Sequence, residues 1–355
     1  MTSPSVSRSV SPAERLAADV GAAVSSVIVG KPAQIRLLLV ALLAEGHVLV
    51  DDVPGVAKTL LVRTLAASLG LRFARVQSTP DLLPGDVTGS LVFDQRSADF
   101  SFRPGPIFAN LVLVDEINRA TPRTQAAFLE AMEERKVSVE GVDHPLPRPF
   151  LVLATQNPVE LKGTFPLPEA QLDRFLLRLR MGYPDEGDEI AMLERFRRDD
   201  PLALVAPVAG HDDVVAARDA VRAVFVAPDV EGYIVALVRA TRSSGEVLLG
   251  ASPRAALALM RAAQAAALLA GRDFVTPDDV RGLLAPVLAH RLVLSREAAL
   301  QRRSADDLIE ALAGEVPAPV EGADRAAAAS STTGSAPALG GAEPGDATDT
   351  PAGDR

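Results

Sequence analysis

The chain has 355 residues, a net charge of −10 at pH 7, 48% hydrophobic residues of which few are aromatic (4% of the chain), and no cysteine. That length accommodates two domains with cores of their own, and the aliphatic bias points to a helix-rich interior. Without thiols there are no disulfides, thiolate metal sites or cysteine nucleophiles, and the acidic balance disfavours a nucleic-acid partner, whose phosphates call for a basic surface.

Met1 to Ser11 is polar and lacks the apolar segment of a signal peptide, and no run approaches the roughly 18 uninterrupted apolar residues of a membrane span. A soluble, cytoplasmic protein is expected, with residues 1–12 disordered. Ser11-Pro12-Ala13-Glu14 then offers an N-cap, a proline at the first helical position and an early acid, so the ordered chain should begin with a helix near Pro12.

From there to residue 182, short apolar runs alternate with helical stretches, the pattern of a parallel sheet covered on both faces. The expected strands are His47–Asp51, Leu71–Gln77, Leu111–Asp115, Phe150–Thr155 and Phe175–Arg180. Residues 13–182 therefore read as a doubly wound α/β domain.

The first strand runs into Asp51-Asp52-Val53-Pro54-Gly55-Val56-Ala57-Lys58-Thr59-Leu60, which has the strand, tight loop and helix start of a P-loop. In such a loop, the backbone from Val53 to Leu60 wraps the phosphates of ATP, and its N–H groups, which Pro54 lacks, face them. Lys58 reaches the β and γ oxygens, and the Thr59 hydroxyl ligates Mg²⁺. The strict glycine pattern is not met, because Asp52 stands at the first glycine position and Ala57 at the second. Ala57 would cost about 1 kcal/mol if its backbone needs positive φ, and the Asp52 carboxylate is expected to point away from the phosphates. The alternative is an ordinary turn into an amphipathic helix.

The strand Leu111–Asp115 ends in the acidic pair Asp115-Glu116, 57 residues after Lys58. At the carboxyl edge of a parallel sheet, Asp115 would hold Mg²⁺ through water, and Glu116 would orient and deprotonate the attacking water. The fourth strand delivers Asn157 to the same edge, where its amide could bond that water or the γ-phosphate; an Asn-Pro turn is the alternative.

After Gly182-Tyr183-Pro184 the spacing becomes helical throughout, so residues 183–315 read as a second, all-helical domain. Its helices are expected over Asp185–Asp199, Asp212–Val224, Val230–Ser243, Pro253–Ala270 and Pro277–His290. Residues 316–355 are rich in Pro, Ala, Gly, Ser and Thr and are expected to be disordered. They carry six acids and two bases, which leaves −6 on the rest of the chain. The four histidines, His47, His144, His211 and His290, follow no metal-ligand spacing, and Mg²⁺ is the only ion expected.

The order and spacing of these motifs resemble AAA+ ATPases, and the sequence between them resembles the MoxR family over about residues 14–315. The most specific stretches are Gln77–Asp86, Gly105–Asn110 leading into Asp115–Ala120, and Leu167–Phe175. The resemblance implies that Lys58 and Thr59 belong to Walker A, Asp115 and Glu116 to Walker B, and Asn157 to sensor 1. It makes Arg174 the arginine finger acting on a neighbouring subunit's ATP, Arg254 sensor 2, and Gly30 part of the loop near the adenine. It also implies a ring, hexameric by analogy, acting as a chaperone on a protein client such as one with a von Willebrand factor A domain. Two stretches, Leu91–Arg103 and Lys136–Leu146, alternate around polar turns and suggest β-hairpins that face a pore or partner, or extend the sheet. A DNA translocase and a nucleotide-gated scaffold without turnover are the competing functions.

Overall fold

The computed structural model describes residues 11–52, 55–96, 98–157, 163–197 and 200–319. The expected disorder at 1–12 and 316–355, and the loop positions Val53 and Pro54, fall wholly or mostly outside these residues.

Helix α1 (Pro12–Ser25) starts where the cap chemistry dictates. The Glu14 N–H donates to Ser11 Oγ at 3.1 Å, and the Ser11 N–H reaches back to the Glu14 carboxylate at 3.4 Å. Leu16, Val20 and Val24, four residues apart, form its buried stripe. Helix α2 (Pro32–Leu43) buries every residue from Leu38 to Leu43, because other helices cover it on more than one side.

The central sheet consists of β1 (Val48–Asp51), β2 (Phe73–Gln77), β5 (Leu111–Asp115), β8 (Leu151–Gln156) and β9 (Leu177–Leu179), in the spatial order β2-β5-β8-β1-β9. All four pairings are parallel, with Val48 opposite Leu153 and Leu177, and Leu111 opposite Phe73 and Leu151. Each strand falls on one of the five apolar runs. The register sets Gln77 beside Asp115 and Asp51 beside Gln156, so the chemistry-bearing strand ends share one edge. Between strands lie α3 (Lys58–Ser68), the short α4 (Pro84–Thr88), α5 (Pro122–Glu134) and the short α6 (Glu169–Leu172).

Both expected hairpins form: β3 (Gly89–Asp94) pairs with β4 (Asp99–Pro104), and β6 (Lys136–Val139) with β7 (Val142–Pro145). Each is a separate two-stranded sheet, so neither extends the central one. Leu91, Val92, Phe93 and Phe100 of the first are exposed, and the two phenylalanine rings pack against each other at 5.3 Å.

Beyond Gly182 come α7 (Glu186–Arg195), α8 (His211–Ala223), α9 (Pro228–Ser243), α10 (Pro253–Leu269), α11 (Pro277–Leu288), α12 (Arg296–Leu300) and α13 (Ala305–Glu315). The last two were not anticipated, nor was the short antiparallel pair β10 (Val247–Leu249) and β11 (Val293–Leu294). Serine N-caps at Ser295 and Ser304 start α12 and α13, but their apolar stripes are too short to register as periodicity. α10, the longest of these helices, is rich in alanine and packs against α2, α8, α9 and α11, close approaches that small side chains permit.

Candidate functional site

Residues from four segments of the chain line one cavity of about 410 Å³ at the carboxyl edge of the sheet: Gly55, Ala57, Lys58, Thr59 and Leu60; Arg75 and Gln77; Asp115 and Glu116; and Thr155, Gln156 and Asn157. This volume lies in the range of small-ligand sites. Of the residues expected to meet ATP, Val56 is buried beside this cavity's loop without lining it, while Gly30 and Arg254 lie elsewhere.

Ala57 has φ +58°, so this position does need the left-handed conformation that glycine adopts without strain. Gly55 has φ +88°. The Lys58 ammonium donates to the Asp52 carbonyl at 3.1 Å, which holds the loop closed across its base.

Asp52 does turn away from the cavity. Its side chain is buried, and Oδ2 accepts from the Met181 and Gly182 N–H groups at 2.5 and 2.8 Å. The Lys31 ammonium donates to the Tyr183 carbonyl and the Gln34 amide to that of Arg180, both at 3.2 Å. The segment linking β9 to α7 is thus held by the P-loop's own aspartate and by the start of α2. Gly30 sits close by for a steric reason: a Cβ there would lie 1.7 Å from the Asp188 carboxylate on α7.

The acidic pair is supported from both neighbouring strands. Arg75 donates to Asp115 Oδ2 at 2.6 Å, and Thr155 Oγ1 to Asp115 Oδ1 at 3.4 Å. The same Thr155 hydroxyl accepts from the Glu116 N–H at 2.9 Å, which fixes the backbone where Glu116 takes up φ +55°. The Glu116 carboxylate accepts from the Gln77 amide at 3.0 Å and the Arg119 guanidinium at 3.1 Å. Thr59 and Asp115 supply hard oxygen donors in the same cavity, and Mg²⁺, which binds through one or two protein oxygens with water and phosphate completing its shell, fits that donor set.

Arg174 and Arg254 lie on a second, larger cavity of about 750 Å³. The Glu133 carboxylate at the end of α5 holds both, with Oε2 at 3.2 Å from Arg174 and Oε1 at 3.1 Å from Arg254. Asp173 bonds Arg291 at 2.7 Å and the Ser252 hydroxyl at 2.9 Å. Arg291 is buried, and its guanidinium also donates to the carbonyls of Phe175, Leu176 and Val287, while the His290 ring bonds the Phe175 carbonyl at 3.2 Å. Residues from beyond α10 thereby grip the segment that carries Arg174.

Sequence reasoning missed Thr155, Gln77, Arg75, Glu133, Asp173 and Arg291. Only Gln77 and Thr155 carried a signal, as polar ends of apolar strands. His47 is structural: its Nδ1 accepts from the Val152 N–H and its Nε2 donates to the Met132 carbonyl, each at 3.0 Å. Burial pushes its pKa down to about 3, so the ring is neutral.

Models of two families match the chain: the ATPase family associated with various cellular activities (AAA) over residues 47–177, and the AAA lid domain over residues 239–312. The chain is 48% identical to the Bacillus subtilis protein YeaC, across 84% of this chain and 93% of that one. It is 43% identical to the chaperone MoxR1 of Mycobacterium tuberculosis, across 78% of this chain and 75% of that one. Among solved structures, a chain from Cytophaga hutchinsonii matches with a TM-score of 0.82 at 38% identity, over 87% of this chain and 96% of that one.

Proposed function

The chain belongs to the MoxR family of AAA+ ATPases, and from that premise we propose that it hydrolyses ATP with Mg²⁺ in a ring of identical subunits and uses the cycle to remodel a protein client. The observation that carries this reading is the convergence of Lys58, Thr59, Asp115, Glu116 and Asn157 on one cavity.

The loop N–H groups around Gly55–Leu60 and the Lys58 ammonium bind the ATP phosphates. Thr59 and Asp115 would hold Mg²⁺, which when bound neutralises charge on the β and γ oxygens. Glu116 accepts the proton of the attacking water, with Gln77 and Arg119 aiming its carboxylate. The Asn157 amide orients that water, and ADP and phosphate leave.

Arg174 and Arg254 act together on the neighbouring subunit's nucleotide. Both are remote from their own chain's ATP cavity and share the Glu133 carboxylate, which supports one role for the pair. The core spans 13–182 and the lid 183–315, and the Asp52 clamp on Met181 and Gly182 links loop geometry to the lid. Hexameric stoichiometry, a cytoplasmic location and a client bearing a von Willebrand factor A domain rest on the family resemblance. In addition, none of the described helices is long and apolar enough to cross a membrane. The exposed apolar tip of the β3–β4 hairpin supports contact with a protein.

Subunit mixing tests the reading. Arg174→Ala and Glu116→Gln should each lower turnover by about 10³-fold, within the span measured for arginine fingers. A mixture of the two should recover activity, because a Glu116→Gln subunit still offers Arg174 to an intact neighbouring site. Mixed rings that stay inactive would overturn the trans assignment.

A further inference from the structure

Besides Arg174 and Arg254, the larger cavity is lined by Arg135, Arg218, Arg222 and Arg261, which the end of α5, α8 and α10 bring close enough to repel one another. Two carboxylates serve this group: Glu45 pairs with Arg135 and with Arg222, each at 3.2 Å, and Asp219 pairs with Arg222 at 3.7 Å. Arg218 and Arg261 have no ion-pair partner among the described residues, so four guanidinium groups share two acids there. On a chain of net charge −10, such a concentration of positive charge is not a general surface property.

Arg218 is the telling member. Its side chain is only 4% exposed, its Nε donates to the Leu42 carbonyl at 2.8 Å, and its buried Nη2 has no hydrogen-bond partner. A buried guanidinium nitrogen without a partner is costly to the fold. Burial and the neighbouring Arg135 and Arg222 lower its pKa to about 10, despite the opposing pull of Glu45, so the group is still charged at neutral pH. Among the described residues no carboxylate forms an ion pair with that charge.

We propose that the part of this cavity lined by Arg135, Arg218, Arg222 and Arg261, apart from Arg174 and Arg254, is a second ligand site, separate from the ATP cavity, which binds a small anion through its phosphate groups. Several planar guanidinium forks converging on one space suit phosphate oxygens, each of which accepts more than one bond, and a volume of about 750 Å³ accepts anything from pyrophosphate to a nucleotide. The walls come from one chain, so the site does not require the ring or the trans role of Arg174. A bound anion would bridge the end of α5 to α8 and α10, fixing the helical part against the sheet.

The test is calorimetric titration of sodium pyrophosphate, without Mg²⁺, into the full chain carrying Lys58→Ala, which disables the P-loop. One pyrophosphate per chain should bind, more weakly at high salt. Adding Arg222→Ala and Arg261→Ala, two exposed side chains whose loss leaves the core intact, should weaken binding at least tenfold, and Arg222→Lys with Arg261→Lys should restore part of it. Competition by ATP would identify nucleotide phosphates as occupants, and its absence would restrict the site to inorganic ones. No binding in the Lys58→Ala chain, or binding indifferent to Arg222 and Arg261, would overturn the proposal.

Discussion

The two cavities are built on opposite principles. The smaller one collects groups that the chain carries at the ends of successive parallel strands, where sheet topology brings them together whatever the rest of the sequence does. The larger one is assembled from arginines between positions 135 and 291, delivered by elements that have no local pattern in common. The first can be found by motif; the second exists only through pairings across the fold. The first should therefore tolerate changes to its supports, whereas the second should fail when one pair is broken.

Asp173→Ala gives that contrast its hardest test. The substitution leaves the Arg291 guanidinium, whose side chain is 3% exposed, without its counter-charge, and it also frees the Ser252 hydroxyl. Removing one partner of a buried ion pair costs about 3 to 5 kcal/mol. Retained carbonyl bonds to Arg291 set the expectation near the lower figure, measured as a fall in urea-unfolding free energy. A loss below about 0.5 kcal/mol, the size of a surface substitution, would mean that the junction does not depend on this pair and would break the comparison.

The same contrast explains what could be read from the sequence. All five central strands coincide with apolar runs because buried parallel strands must be continuously apolar, and helices with Ser-Pro or Thr-Pro starts, such as α10 and α11, announce their caps. The direction of the Asp52 side chain was legible by elimination, but not its partners, since two backbone N–H groups some 130 residues away leave no trace in residue identity. Glu133 lies on an ordinary amphipathic helix, and nothing in its neighbours distinguishes it from Glu130 or Glu134. Asp173 and Arg174, adjacent in sequence, each take a partner more than 40 residues away, which residue identity does not announce.

Buried histidines allow a smaller and reversible perturbation of the larger cavity's surroundings. His47 ties the start of β1 to β8 and α5 and lines that cavity, and His290 bonds the segment carrying Arg174. Burial, the largest cause in each, lowers His47 from 6.5 to about 3 and His290 well below its ordinary value. Below pH 6.5 the unfolded chain takes up protons that the folded chain refuses, so stability is full above that pH and falls as pH drops toward 3. At pH 5 the neutral His47 costs about 2 kcal/mol relative to pH 7.5, at 1.36 kcal/mol per pH unit, and His290 adds a loss of the same sign. Melting midpoints of wild type and His47→Gln at the two pH values check this: the variant should start lower and lose less. An equal loss in both would assign the acid sensitivity to other groups.

The mildest test falls on the phosphate loop, where the sequence itself marked a departure. Ala57 occupies a left-handed backbone at φ +58°. Relieving that strain with Ala57→Gly gains up to about 1 kcal/mol, partly offset by the extra freedom glycine brings to the unfolded chain. If the loop conformation is already set by the Lys58 bond to the Asp52 carbonyl, the gain should appear as a melting shift without change in ATP affinity. A tighter ATP affinity in Ala57→Gly would mean instead that the alanine strains the free loop away from its ligand-bound shape, making position 57 a determinant of affinity and the smaller cavity as dependent on single contacts as the larger one.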